Sequence, residues 1–276
     1  MRKAPVACPN CGPMATRRAG RDRQGRQIYQ CLGCRRRFTA RSATPFPGYR
    51  FPPDVIALAV RWYLRFRLSY ADVAELLAER GVAVDPSTIY DGVGEFAPLY
   101  EEAARPFRRG IGSSWSVDET YAKIAGKPAY VYRAIDGRGQ VVDVFVSERR
   151  ATADAATFFR HAIAVTGVIP DAVTTDGAAA YPSALALALP PLAHEVGKRV
   201  QQRIARDHQH LKGRLRPLRG FTTLAGARLV CRAHAFLRNL RGGFHDLGQL
   251  LDVTVLAPQP PVARAWAALT GTLLGR

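Results

Sequence analysis

A chain of 276 residues is long enough to bury a sizeable core, and we expect two or three small domains. Its formal net charge is +18 at pH 7, which implies a polyanionic partner. Residues 1–50 and 196–245 each carry 12 Lys/Arg against one acid, and the rest of the chain is net negative. A uniform Arg-rich composition does not explain that distribution, whereas contacts with nucleic-acid phosphates do. The sequence shows neither an apolar run long enough to span a bilayer nor a signal-peptide pattern, so we expect a cytoplasmic protein without a membrane partner.

Two cysteine pairs lie close to the N-terminus. Cys8 and Cys11 form one CxxC motif, Cys31 and Cys34 form a second, and 19 residues separate the pairs. Four thiolates at this spacing are typical of a tetrahedral Zn²⁺ site. Two disulfides in a small exported module are the alternative, which the lack of a signal peptide disfavours. The spacing therefore predicts a structural zinc site.

The residues around these cysteines predict a zinc ribbon over residues 1–45. Gln27–Gln30 is typical of a ribbon strand. So small a module is expected to take most of its folding free energy from the metal. Three consecutive arginines follow the second cysteine pair and are expected to contact DNA phosphates: Arg35, Arg36 and Arg37.

Residues 46–110 are expected to form a helix-turn-helix unit followed by a linker. A helix begins near Pro53, Ser69-Tyr-Ala-Asp72 is typical of a capping box that opens a second helix, and a third helix is predicted from Pro86 to Val93. In a DNA reader, the first residues of the last helix contact base edges. These residues are Ser87, Thr88 and Tyr90. The following Asp91-Gly-Val-Gly94 is unusual in a recognition helix, so a plain helical bundle is the alternative.

Residues 111–245 show the element order of a ribonuclease-H-like α/β domain, a mixed sheet flanked by helices. Trp115-Ser-Val-Asp118 opens a run of three strands, and a predicted helix then precedes the strand Ala172–Thr175. Asp118 lies on the first strand and Asp176 directly follows the last. In such folds, adjacent strands bring carboxylates together to hold Mg²⁺ for attack on a phosphodiester. The remaining residues, 246–276, are expected to form a helical tail.

A long basic helical region covers Gln201–Arg214. Its charge suits contacts with a nucleic-acid backbone. The candidate DNA contacts on it are Arg203, Arg206, His208, Lys212 and Arg214.

Taken together, five stretches resemble a DDE transposase of the insertion-sequence-six family over roughly residues 46–245. They are Phe51–Val73, Trp115–Tyr121, Tyr132–Asp136, Thr175–Gly177 and Arg206–Lys212. The zinc ribbon matches an N-terminal addition that some members show. The resemblance implies that Asp118 and Asp176 are the first two acids of the catalytic triad and bind two Mg²⁺ ions. It also implies double-stranded DNA as the partner, both terminal inverted repeats and target, and a homodimer or higher oligomer at the nucleoid of a prokaryote.

The third acid of that triad is missing from the matching position. The family has a Glu two residues before an Asp-His pair, and this chain has Ala205 there. A methyl group cannot coordinate Mg²⁺. Asp207 is rotated about 200° around the helix from that position, His208 is a soft ligand for a hard cation, and Glu195 lies on a preceding segment. The chain is therefore expected to be either a transposase that has lost its third acid, by natural decay or by deliberate replacement, or a catalytically silent DNA-binding protein.

Overall fold

The computed structural model describes residues 6–248 and 261–275, without the side chains of 198–201. The N-terminal part is an antiparallel three-stranded ribbon with the order β1 (Thr16–Arg21), β2 (Gln27–Cys31) and β3 (Arg37–Thr39). The predicted strand at Gln27–Gln30 is therefore present. Its buried core is very small, formed by Cys8, Cys31 and Phe38.

Three helices follow the ribbon: α1 (Pro53–Arg65), α2 (Tyr70–Ala78) and α3 (Pro86–Ala104). The predicted capping box is present at the start of α2. The Ser69 hydroxyl accepts a hydrogen bond from the Asp72 backbone N–H, and the Asp72 carboxylate accepts one from the Ser69 N–H. These two bonds satisfy backbone donors that have no partner inside the helix, which fixes where α2 begins.

Helix α3 is longer than the sequence predicts. The expected helix ended at Val93, with a linker from Pro98 to Arg109, but α3 continues through Pro98 to Ala104. Proline inside a helix removes one backbone hydrogen bond and costs about 3 kcal/mol. Apolar side chains at Phe96 and Tyr100 are fully buried one turn apart, and their packing outweighs that cost.

A five-stranded sheet follows, in the strand order β6-β5-β4-β7-β8. The first three strands form an antiparallel meander, and β7 and β8 are added in parallel on the other side of β4. The elements are β4 (Ser114–Ile124), β5 (Lys127–Asp136), β6 (Val141–Ser147), α4 (Thr152–Thr166), β7 (Ala172–Thr175), α5 (Ala180–Ala188), β8 (Ala193–Val196), α6 (Lys198–Leu215), α7 (Leu224–Arg241) and α8 (Pro261–Leu273).

This mixed sheet with helices on both faces confirms the predicted ribonuclease-H-like α/β fold. The strands β4, β7 and their connecting helix α4 lie where the sequence predicts them, and Gly167 ends α4 in the left-handed conformation with φ 70°. The edge strand β8 was not anticipated. Of the predicted tail, residues 249–260 lie outside the described residues, and α8 follows them.

The two faces of the sheet are buried against different partners. One face packs against α4 and α5 around Trp115, Val117 and Phe158. The other belongs to a hydrophobic core that also contains buried side chains of α1, α3, α6, α7 and α8. Residues before and after the predicted domain boundary at 110/111 both contribute to this common core. The boundary between the helical unit and the α/β domain therefore stays a prediction. No helix within residues 6–248 and 261–275 has the length and apolar character that crossing a bilayer requires.

Candidate functional site

The two predicted catalytic carboxylates lie at equivalent positions on adjacent parallel strands. Ser114, Trp115 and Ser116 of β4 are paired with the residues 58 positions later in β7. Asp118 and Asp176 differ by the same 58 positions, and Asp176 directly follows β7. Residues paired across a sheet project from the same face, about 4.8 Å apart. Continuing this register two residues past Thr174 would place Asp176 opposite Asp118, so the pairing of β4 with β7 supports the prediction that the two acids share a site.

A tight turn follows Asp176. Gly177 has φ +83°, and a Cβ atom built there would lie 2.8 Å from Cγ1 of Val196 on β8. The Asp176 Oδ1 atom accepts a hydrogen bond of 2.9 Å from the Ala178 backbone N–H. Position 177 thus requires glycine for its backbone conformation and for the close approach of β8, and the turn holds the Asp176 backbone in place.

Helix α6 crosses the face that carries these acids. Its buried side chains Ile204, Leu211 and Leu215 pack into the core, and His208 is only 4% exposed. The His208 Nδ1 atom lies 3.4 Å from Oδ2 of Asp118. Since His208 reaches Asp118, this side of α6 faces the Asp118 carboxylate.

Ala205 lies three residues before His208 on α6. Three residues correspond to about 300° of helix rotation, so the two side chains are on the same side of the helix, one turn apart. Ala205 is exposed, which leaves room at its position for a longer side chain. A methyl group offers no ligand atom, so the site has two carboxylates where the sequence resemblance implies three.

Asp207, a neighbour of Ala205 that carries a carboxylate, is engaged elsewhere. It is 4% exposed and forms ion pairs with Arg133 of β5 and Arg238 of α7. Burial acts to raise the pKa of Asp207, but the Arg133 guanidinium lowers it overall. Asp207 is therefore a charged structural group that cannot serve as the missing metal ligand.

Glu195 does not complete the site either. It lies on the edge strand β8 opposite Thr174, and its side chain is exposed. Within the described part of the chain, one set of three or more His, Cys, Asp or Glu side chains has ligating atoms that all lie within 4.8 Å of one another, and that set is the four cysteines. The carboxylates of Glu195, Asp118 and Asp176 therefore do not all lie within 4.8 Å of one another in this structure.

The four cysteines of the ribbon do form such a group. Cys8, Cys11, Cys31 and Cys34 place their Sγ atoms within 4.8 Å of one another, and the Cys8 and Cys34 Sγ atoms are 3.7 Å apart. A tetrahedral Zn²⁺ with Zn–S bonds of about 2.3 Å requires sulfur atoms about 3.8 Å apart, so the spacing fits this ion. Burial acts to raise the pKa of Cys8, but hydrogen bonds from the backbone N–H groups of Asn10 and Cys11 lower it to about 7. This shift favours the thiolate form that metals bind.

The predicted DNA contacts of the first two units are exposed. Arg35, Arg36 and Arg37 lie on the surface of the ribbon, as do Ser87, Thr88 and Tyr90 at the start of α3. The Ser87 backbone N–H and hydroxyl both donate to the carboxylate of Asp85, which caps α3. The Ser87 hydroxyl therefore has a structural partner already, whereas Thr88 and Tyr90 present their side chains to solvent.

The predicted contacts on α6 divide into exposed and buried residues. Arg203, Arg206 and Lys212 are exposed, and Arg203 donates a hydrogen bond of 2.5 Å to the Gly137 carbonyl. Arg214 is 5% exposed, and its guanidinium carbon lies 4.4 Å from the centre of the Tyr63 ring. His208 and Arg214 are both buried against protein, so contact of either side chain with DNA would require it to leave its present position, and their assignment as DNA contacts stays a prediction.

The structure also reveals a buried carboxylate that the sequence analysis missed. Glu119 follows Asp118 in β4, and its side chain is only 4% exposed. It bonds to Tyr181 of α5 and to Arg150 of the loop before α4. The signal was available in the sequence: Glu119 continues the inward-facing alternation of Trp115 and Val117, and a glutamate in such a series requires buried partners.

Comparisons with known proteins find relatives in sequence and in structure. Residues 112–243 match the sequence model of a family described as a DDE domain. A Staphylococcus aureus (strain Mu50) transposase for insertion sequence-like element IS431mec is 39% identical over 170 residues, which are 60% of this chain and 75% of that protein. A second S. aureus transposase, for insertion sequence element IS257 in transposon Tn4003, is 38% identical over 170 residues, again 60% of this chain and 75% of that protein. Among solved structures, the HTLV-2 integrase catalytic core domain in complex with magnesium aligns with 59% of this chain and 86% of its own, at 15% identity and a TM-score of 0.30.

Proposed function

The chain belongs to the insertion-sequence-six family of DDE transposases, and from this membership we propose that it binds the terminal inverted repeats of an insertion sequence and the target DNA. With DNA as the partner, we expect it to act at the nucleoid in a prokaryotic cytoplasm. Cutting and joining two element ends requires two active sites, so we propose a homodimer or higher oligomer.

We assign DNA binding to three regions of the chain. The ribbon (residues 1–45) would contribute its exposed arginines. The helical unit (46–110) would contribute the start of α3. The catalytic domain (111–245) would contribute the exposed basic residues of α6. Arginine and lysine on these surfaces suit phosphate contacts. Base reading is assigned to Thr88 and Tyr90, since these side chains are exposed at the N-terminal end of α3.

Two kinds of metal site are proposed. The four cysteines of the ribbon would hold a structural Zn²⁺, as the sulfur spacing allows. Asp118 and Asp176 would hold Mg²⁺, for which carboxylate oxygens are suitable hard ligands. The chemistry that such ions supply is the stabilisation of the attacking and leaving oxygens in an in-line phosphoryl transfer.

We further propose that this chain cleaves DNA negligibly with Mg²⁺. One observation carries this proposal: Ala205 occupies the helix turn that faces Asp118, as the contact of His208 shows, and it supplies no ligand. Asp207 cannot replace the lost acid, because it is paired with Arg133 and Arg238. The alternative function is therefore a catalytically silent DNA-binding protein derived from a transposase.

A strand-transfer assay with terminal DNA, Mg²⁺ and the Ala205→Glu variant separates the two functions. If only the third acid is missing, the variant transfers strands and the unchanged chain only binds. If both proteins bind terminal DNA but neither transfers strands, the silent binding function is supported. If neither protein prefers terminal DNA over unrelated DNA, the proposed recognition of element ends is wrong.

A further inference from the structure

The face of β4 opposite Asp118 carries a buried carboxylate with two charged or polar partners. Neighbouring side chains on a strand project from opposite faces of the sheet. Glu119 therefore projects toward α4 and α5, where it is 4% exposed. One of its oxygens, Oε2, accepts a hydrogen bond of 2.5 Å from the Tyr181 hydroxyl, and the other forms an ion pair with Arg150.

One partner comes from the segment that follows Asp176, and the other comes from the loop before α4. Tyr181 is the second residue of α5, five positions after Asp176, and is 1% exposed. Arg150 lies between β6 and α4 and is partly exposed. Burial and the adjacent Glu119 carboxylate raise the pKa of Tyr181, so its hydroxyl retains the proton that it donates. Glu119 thus joins the strand of Asp118 to the segment that carries Asp176.

The chain between Asp176 and Tyr181 has little freedom at either end. At its start, the Asp176 side chain accepts a hydrogen bond from Ala178, and Gly177 packs against Val196. At its end, the Tyr181 hydroxyl is bonded to Glu119. Loss of that bond would remove the side-chain link between this segment and β4, whereas the Tyr181 ring would stay buried and β4 would stay paired with β7 through backbone hydrogen bonds.

A buried ionic group is expensive to desolvate, and replacing one with apolar side chains is often neutral for stability. A buried ionic group can, however, hold its partners in one arrangement, because its hydrogen bonds are directional and apolar contacts are not. We propose that Glu119 is a positioning residue, which acts through Tyr181 and Arg150 to hold Asp118 and Asp176 in the arrangement that binds divalent metal. This inference rests on the proposed metal-binding role of the two aspartates.

The test uses Mn²⁺ as the probe and the full-length Ala205→Glu chain, which has three carboxylates. Bound and free Mn²⁺ are measured by electron paramagnetic resonance. Tyr181→Phe removes only the hydroxyl that Glu119 accepts from, and we expect Mn²⁺ affinity to fall about 10-fold or more, as it does when groups that orient metal ligands are removed. Tyr100→Phe is the matched control, because it removes a buried hydroxyl bonded to Thr270 at 2.8 Å, and Tyr100 belongs to a different buried cluster from Tyr181. Its Mn²⁺ affinity should remain within about 2-fold of the parent.

A second measurement needs neither metal nor activity. In the metal-free chain, backbone amides of residues 176–181 should exchange with deuterium faster in Tyr181→Phe, while amides of α4 keep the parent rate. A variant that merely loses global stability would accelerate exchange in both segments. Tyr100→Phe should leave the exchange of residues 176–181 at the parent rate.

The outcomes separate this inference from the proposed function. If Asp118→Asn binds Mn²⁺ as tightly as its parent, the metal site itself is wrong. If Asp118→Asn loses Mn²⁺ but Tyr181→Phe keeps both the parent affinity and the parent exchange rates, the site stands and the positioning role of Glu119 is overturned.

Discussion

The Asp207 carboxylate of α6 forms an ion pair with the guanidinium of Arg133 on β5, and the Arg133 side chain has no exposed surface. The pair joins α6 to the centre of the sheet. Removing one partner of a buried pair leaves an uncompensated charge and costs about 3–5 kcal/mol. We expect Asp207→Asn to lower the free energy of unfolding by this amount, measured by urea denaturation.

A double variant provides the control for this ion pair. Asp207→Leu combined with Arg133→Met removes both charges, and Arg238 is exposed enough to reach solvent. The double variant should recover most of the lost stability, since buried pairs replaced by apolar side chains are often neutral. A loss below about 1 kcal/mol in Asp207→Asn would contradict the assigned role of this pair.

Two partly buried histidines predict a loss of stability on acidification. Burial lowers the pKa of His234 to about 3 and that of His245 to about 4, from 6.5. As pH falls below 6.5, the unfolded chain therefore takes up protons that the folded chain refuses, and stability decreases. At pH 5 the difference amounts to about 2 kcal/mol for each histidine. Urea denaturation at pH 7 and pH 5 measures it, and His234→Gln should reduce the difference by about 2 kcal/mol.

His161 should change the stability of the fold with pH in the opposite direction from His234 and His245. Its hydrogen bond with Asp143 raises the pKa of His161, so this histidine stabilises the fold at low pH and loses that contribution as pH rises through its folded-state pKa. Its side chain is 42% exposed, so the effect is small. His161→Gln should therefore slightly enlarge the loss between pH 7 and pH 5. If His234→Gln leaves the loss unchanged, the partly buried neutral histidine is not its source.

The sequence predicted the catalytic sheet well because local patterns specify its strands. Asp118 follows a short apolar run, Asp176 lies between an apolar run and a turn, and β4 and β7 pair in parallel directly before the two positions. The edge strand β8 has only four residues and no apolar alternation, so its pairing with β7 depends on tertiary contacts that the sequence does not display.

Tertiary packing also explains where the structure departs from these expectations. The sequence predicted that α3 ends at Val93 and that a linker begins at Pro98, but buried Phe96 and Tyr100 keep the helix intact through Pro98. Arg214 followed the basic pattern of α6, yet its position at the end of that helix places it against Tyr63 of α1. A charge pattern alone does not reveal which side of a basic helix is covered by another helix.

The cysteine group predicts about one Zn²⁺ per chain in freshly purified, reduced protein, measured by elemental analysis. Cys31→Ser removes a buried ligand and should release the metal and unfold residues 1–45, since the ribbon core is very small. Cys231→Ser is the matched control: Cys231 is equally buried but lies in α7, away from the cysteine group, and its substitution should leave the zinc content unchanged. Absence of zinc from the unchanged protein would overturn the ribbon assignment.

Duplex DNA binding should weaken steeply with salt, because each phosphate contact changes the slope of log affinity against log salt by about 0.9. Substitution of Arg35, Arg36 and Arg37 by alanine should flatten this slope by about that amount for each phosphate that the variant no longer neutralises. Arg160→Ala is the control, since Arg160 is exposed on α4, on the other face of the sheet from α6. Equal slopes for the triple variant and the unchanged chain would show that the ribbon does not contact the DNA backbone.

The last prediction concerns position 205, where side-chain length and charge can be varied separately. Ala205 is exposed and lies one turn before His208, which reaches Asp118. A glutamate there would add the third carboxylate, and we expect Ala205→Glu to increase Mg²⁺-dependent cleavage of terminal DNA by about 100-fold or more, because even loss of groups that only orient metal ligands costs about 10–100-fold. Ala205→Gln has the same length without the charge and should stay at the level of the unchanged chain. Adding Asp118→Asn or Asp176→Asn to Ala205→Glu should abolish the gain, since either change removes another ligand charge. Strong cleavage by the unchanged chain would mean that another acid completes the site, and a silent Ala205→Glu variant that still binds terminal DNA would mean that more than the third acid has been lost.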